Sequence, residues 1–347
     1  MAVPVYPDDE TVLLTLSEQT PLVQIPTNET ERLHSAQSYF QQGRQHSDPR
    51  AIGTAQRLLQ SWQNKDNVPN AVLLLRAQIA QYQHHFAIAR TDLHELLKRQ
   101  PQSSEAWLSL AFIERIEGNY STAQQACDAV AKSNTVAALL CQASVFNLQG
   151  KMSQAYQLLE SLKHQNIATQ QWQLTEMAVI KSRLGNLKKA QQHFQAALAI
   201  PQRDTYLLGA YADFLIANQQ AQTALTLLKN ETNDDGLLLR ATLAAKKLND
   251  PLAIQWQRVL QARFDTAVLR QENLHQREAA VFYLHIAEQP QKALALAQAN
   301  WKIQKEPEDA LILLQTAKAL RQPQAAEPAR SWAKKYGWTD ILKVDKP

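Results

Sequence analysis

Residues 106–130 read AWLSLAFIERIEGNYSTAQQACDAV. Trp107, Leu110 and Ala111 lie at helical spacing and make one apolar stripe. Gly118 follows where the chain must turn through a left-handed conformation. Tyr120, Ala123 and Val130 then make a second stripe, in which the small Ala123 lets the returning helix come close. The stretch is a helix, a tight turn and an antiparallel helix. Pro101 stands where a preceding unit of the same kind ends.

The small alanine recurs. Ala55, Ala89, Ala123, Ala155, Ala190 and Ala224 are spaced 34, 34, 32, 35 and 34 residues apart, and Ala253 and Ala293 continue at 29 and 40. Gly118, Gly150 and Gly185 each precede a marker by five residues. Pro49, Pro251, Pro290 and Pro323 fall near the starts of second helices, where the missing N–H costs nothing. Pro69, Pro101, Pro201 and Pro307 fall between pairs.

This motif and its 34-residue mean period resemble the tetratricopeptide repeat family over roughly residues 30–337. The resemblance implies an all-α, right-handed superhelical solenoid of about nine antiparallel helix pairs with a C-terminal cap. Residues 265–288 are too long for one standard helix and mark an irregular seventh interval. Two segments follow: an extended acidic arm over residues 1–27, with no Lys or Arg, and a solenoid over 28–347. LLLRA, at 73–77 and again at 237–241, is then the same place in two pairs five repeats apart. Arg76 faces Asp92 of its own second helix in a regular hairpin, so an ion pair with a snorkelling stem is the main reading. An arginine reaching for a ligand is the other.

The chain has 347 residues, 45% of them apolar and 20% charged, with a net charge of +4. No basic stripe or tail is present, which argues against a nucleic-acid partner. No apolar run is long enough for a transmembrane helix. No metalloprotease helix, phosphate loop or nucleophile elbow occurs. His84 and His85 fall in a turn, and His275 and His285 lack same-face spacing, so neither metal nor cofactor is expected. Asp234 and Asp235 read as a helix cap rather than paired catalytic carboxylates. The repeats leave no room for a separate catalytic domain, and the chain is not expected to be an enzyme.

Cys127 and Cys141 lie on helices that touch in a solenoid; a disulfide and two buried thiols are both open. The opening MAVPVYPDDETVLLTL lacks the basic and apolar regions of a signal peptide. An exported location after loss of a leader is slightly favoured, with the cytoplasm as the alternative.

In the resembled family the first helices line a concave groove. Carried over by repeat position, that groove holds Tyr82, Phe112, Arg115, Trp172, Arg183, Tyr206 and Asp213. The carboxylate clamp of chaperone-binding members is absent, because Leu74 and Gln78 occupy its positions, and Leu74, Leu108, Leu140 and Gly209 carry no base-reading code. The function implied is a scaffold or adaptor that binds a protein or peptide partner in the groove. The alternative is an exported envelope assembly factor that binds a glycan or lipid-linked component.

Overall fold

The computed structural model describes residues 25–343, apart from 47, 64, 66, 163–165, 203 and 270–274; nearly all of the arm at 1–27 lies outside the described residues. Among the described residues nine helix pairs follow one another: α1 (Glu29–His46) with α2 (Pro49–Leu59), α3 (Asn70–Tyr82) with α4 (Phe86–Arg99), and α5 (Ser104–Ile116) with α6 (Tyr120–Val130). Next come α7 (Thr135–Leu148) with α8 (Met152–Ser161), α9 (Ile167–Arg183) with α10 (Leu187–Leu198), and α11 (Thr205–Ala217) with α12 (Ala221–Leu228). The last are α13 (Asp235–Leu248) with α14 (Leu252–Leu269), α15 (Gln276–His285) with α16 (Pro290–Ile303), and α17 (Pro307–Ala319) with α18 (Glu327–Lys335). A short α19 (Thr339–Leu342) ends the described chain, which contains no strand among its described residues. The protein is an all-α solenoid of consecutive antiparallel helix pairs.

Local chemistry sets the helix limits. Ser103, Asn134, Asp204 and Asp234 cap first helices by accepting the amides of Ala106, Ala137, Leu207 and Leu237. Eight turns between paired helices hold a residue at φ between 55° and 84°: His84, Gly118, Gly150, Gly185, Gln219, Asn249, Glu288 and Arg321. Five residues after seven of these turns comes an alanine with no exposed surface: Ala89, Ala123, Ala155, Ala190, Ala224, Ala293 and Ala326. A larger side chain there would push the second helix off the first.

The seventh pair breaks the rule. Its marker position is Ile254, 63% exposed, and the alanine chosen from sequence, Ala253, is only half-buried. The pair instead packs through Trp256, Leu260 and Phe264 of the long α14. The stretch 265–288 divides between the ends of α14 and α15. Trp107 also differs from expectation. It is half-buried, and its ring N–H donates to the Pro101 carbonyl at 2.8 Å, so the indole ties the repeat edge while Ala106, Leu110 and Ile113 fill the core. Leu139 is likewise half-buried, Ala138 taking the inner position.

Both LLLRA copies bury their first and third leucines, the middle one is buried at Leu238 but half-buried at Leu74, and the arginines are used differently. Arg76 makes a bidentate pair with Asp92 of its own second helix, at 3.0 and 2.7 Å. Burial nonetheless raises the Asp92 carboxyl pKa, more than Arg76 lowers it. Sixteen residues after Arg240, where Asp92 follows Arg76, stands the buried Trp256. Arg240 therefore turns back to the preceding first helix and pairs with Asp213 at 2.9 and 2.8 Å.

The solenoid closes on itself. One buried apolar cluster joins residues of pairs one to four to residues 280–341. The closing contacts serve carbonyls that helix ends leave without partners. The Lys305 amide donates to Ile116 O at 2.7 Å, and its ammonium donates to Glu117 O at 3.0 Å, a cation at the negative end of α5. The fully buried Trp338 donates from its ring to Leu148 O at 3.1 Å. At the α7–α8 turn the C-terminal chain comes so near that a Cβ on Gly150 would lie 1.9 Å from Tyr336 O.

Two experiments follow from this architecture. Gly150→Ala and Gly185→Ala each force a side chain to positive φ, at about 1–2 kcal/mol. Only Gly150→Ala also displaces the C-terminal chain, since nothing lies within 4 Å of a Cβ at Gly185. Gly150→Ala is expected to melt lower, and to speed amide exchange in α18 and α19, where Gly185→Ala does not. Separately, Cys127 of α6 and Cys141 of α7 are joined in a disulfide, with Cα atoms 5.5 Å apart and a sequence separation of 14. Thiol titration in denaturant without reductant is expected to find no free thiol, and reduction to cost about 3 kcal/mol.

Candidate functional site

Polar side chains on seven successive first helices, from α5 to α17, link one helix to the next. Arg115 of α5 donates to Ser144 of α7 at 2.6 Å, with its guanidinium 5.1 Å from the Phe112 ring centre. Arg183 of α9 donates to Asn147 of α7 at 3.4 Å, to Glu308 of α17 at 2.5 Å, and lies over Trp338. Tyr206 of α11 donates its hydroxyl to Glu176 of α9 at 2.5 Å. Asp213 of α11 takes Arg240 of α13. Arg277 of α15 meets Glu306 and Asp309 at the start of α17, at 3.1 and 3.4 Å. Lys246 of α13 donates to the His285 carbonyl of α15 at 3.0 Å, and Glu308 joins α17 back to α9.

The electrostatics reflect groups walled by protein yet partly exposed to solvent. Tyr206 keeps 45% of its surface, while its hydroxyl is driven well above the usual tyrosine range by burial and by Glu176. Burial raises the Glu176 carboxyl, against the Tyr206 hydrogen bond and the charges of Arg115 and Arg183. Burial would also raise Glu278, but Arg277, His275 and Arg240 outweigh it and hold that carboxyl at about 2. Asp309, with no exposed surface, is raised by burial although Arg277 and Asn300 oppose it.

Of the seven residues placed in the groove by repeat register, Arg115, Arg183, Tyr206 and Asp213 belong to this linked lining, and Phe112 underlies Arg115. Tyr82 stands apart, its ring edge-on to Phe40 at 6.2 Å. Trp172 packs on the apolar cluster of Ala143, Tyr156 and Met177. Register missed Glu176, Arg240, Arg277, Glu278 and Glu308. The usable signal was charge on first helices, since a carboxylate or guanidinium on an otherwise apolar helix must find a partner. Among the described residues no cluster of metal-ligating side chains occurs, and no helix is long and apolar enough to cross a membrane.

No protein-family model matches the chain, and no curated protein sequence matches it. Solved structures with a similar chain path are tetratricopeptide repeat proteins. One from Parabacteroides merdae is 17% identical over 61% of this chain and 84% of its own, with a TM-score of 0.47. Cut9, in the APC/C hetero-tetramer Cut9–Hcn1, is 16% identical over 82% of this chain and 55% of its own, with a TM-score of 0.46. The pilF protein of Pseudomonas aeruginosa is 14% identical over 68% of this chain and 97% of its own, at 0.41.

Glu278 offers a direct check on the lining. Its lowered pKa means stability present above the ordinary carboxylate range and lost as pH falls towards about 2. Glu278→Gln is expected to cost about 1–3 kcal/mol near neutral pH, a difference that shrinks on acidification in denaturant titrations.

Proposed function

We propose that the protein is a non-enzymatic scaffold that holds a polypeptide segment against its inner face. The observation that carries this reading is the linked lining of first-helix side chains, from Arg115 on α5 to Glu308 on α17. It combines aromatic surface at Phe112 and Tyr206 with guanidinium donors and carboxylate acceptors, the mixture that meets a peptide's carbonyls, amides and side chains. The paired charges along it suit a mixed-charge polypeptide better than a uniformly anionic polymer. Asp213, Arg183 and Trp172 complete the proposed face, and Tyr82 stands apart from it on Phe40.

The disulfide supports a second reading, an exported envelope factor that takes a glycan or a lipid-linked component. Cytosolic thiols are kept reduced, so a Cys127–Cys141 bridge suits an oxidising compartment.

A photo-crosslinking residue at Tyr206, inside, is to be compared with one at Ile88, 58% exposed on the second helix α4. Protease-sensitive adducts from Tyr206 and none from Ile88 are expected. Protease-resistant adducts from Tyr206 would favour the envelope reading, and adducts from Ile88 alone would overturn the inner-face site. Phe112→Ala with Arg115→Ala is expected to weaken capture of the crosslinked partner by about tenfold, or 1.4 kcal/mol, with little change in melting.

A further inference from the structure

The arginines of the lining are not equivalent. Arg183 is neutralised by Glu308, Arg240 by Asp213, and Arg277 by Glu278, Glu306 and Asp309. An anion binding at any of these must displace a carboxylate already in place. Arg115 is held instead by neutral groups, the buried Ser144 hydroxyl and the Phe112 ring. Arg115 is held in position and half-buried; among the described residues no carboxylate hydrogen-bonds it, though its charge acts on the Glu176 carboxyl.

Arg115 ends a stripe along α5. Glu105, Leu108, Phe112 and Arg115 follow at steps of three, four and three, which place them on one helix face. At the other end of the stripe, Glu105 and Leu108 line a cleft of about 680 Å³ with Leu74 and Asn70 of α3, Gln100 and Ser104. Amide and hydroxyl side chains over a leucine floor suit an extended backbone. From Glu105 to Arg115 the helix rises about 15 Å, at 1.5 Å per residue. Four or five residues of extended peptide cover about that distance.

We infer that this stripe seats an extended peptide segment with an acidic side chain on Arg115, apolar side chains along Phe112 and Leu108, and its opposite, basic end towards Glu105. The inference rests on the polypeptide reading above and adds the charge and direction of the bound segment. Nothing in it requires the other arginines to exchange partners.

The test uses two fluorescein-labelled, C-terminally amidated hexapeptides, Lys-Leu-Val-Leu-Leu-Asp and the same peptide ending in Asn, titrated with the full chain by anisotropy. The acidic peptide is expected to bind at least about tenfold more tightly. Arg115→Gln is expected to abolish that preference, and Arg115→Lys to retain part of it. Phe112→Ala is expected to weaken both peptides. Equal affinities that Arg115→Gln leaves unchanged, with Phe112→Ala still weakening both, overturn the acidic seat and leave the polypeptide reading standing. If neither peptide binds, the seat is overturned, and the Tyr206 crosslink decides the polypeptide reading independently. A matching loss of affinity for both peptides in Arg115→Gln also overturns the seat.

Discussion

The contact on which the architecture depends is the passage of each second helix over its first across a fully buried alanine. An alanine offers no side-chain entropy to lose and almost no thickness, so the two helix axes approach closely and the neighbouring leucines interdigitate. The turn that feeds this contact must reverse the chain in two or three residues, which only a left-handed residue at the helix end allows. Three glycines meet that demand without strain, while His84, Gln219, Asn249, Glu288 and Arg321 meet it at a steric cost borne by the packing around them. Where the alanine is lost, at Ile254, the second helix lengthens and finds its core through large side chains.

Local and distant features were unequally legible in the amino-acid sequence. The period was readable because a buried alanine tolerates little substitution in size and recurs as the same letter. The turns at His84 and Glu288 were not readable as left-handed, because nothing in a histidine or glutamate announces positive φ. Trp107 occupied a core position by pattern, yet its ring N–H needed a partner and found Pro101 at the repeat edge. The closure was invisible from sequence. It depends on the stacking of all the intervening pairs, which brings Lys305 to α5 and Trp338 to α7.

The candidate site shows the same division. Register carried Arg115, Arg183, Tyr206 and Asp213 to one face because first helices repeat in orientation. It missed Glu176, about one turn beyond Trp172 on the 17-residue α9. The contrast between the two LLLRA copies is instructive. Identical pentapeptides send their arginines to opposite faces of the layer, and the deciding residue is sixteen positions downstream, a carboxylate in one case and an indole in the other.

An open helical array is close to one-dimensional: units can be added or lost, and each responds only to its neighbours. The approach of Tyr336 to Gly150 removes that freedom. Once the end of the array seats on its fourth turn, the number of intervening pairs becomes a fixed quantity, because inserting or deleting one would carry Trp338 past Leu148 and leave both unpaired. Gene duplication, the usual way such arrays change length, is then closed to this chain unless two distant surfaces change together. The irregular seventh pair lies within that fixed span, between the fourth pair and the C-terminal contacts.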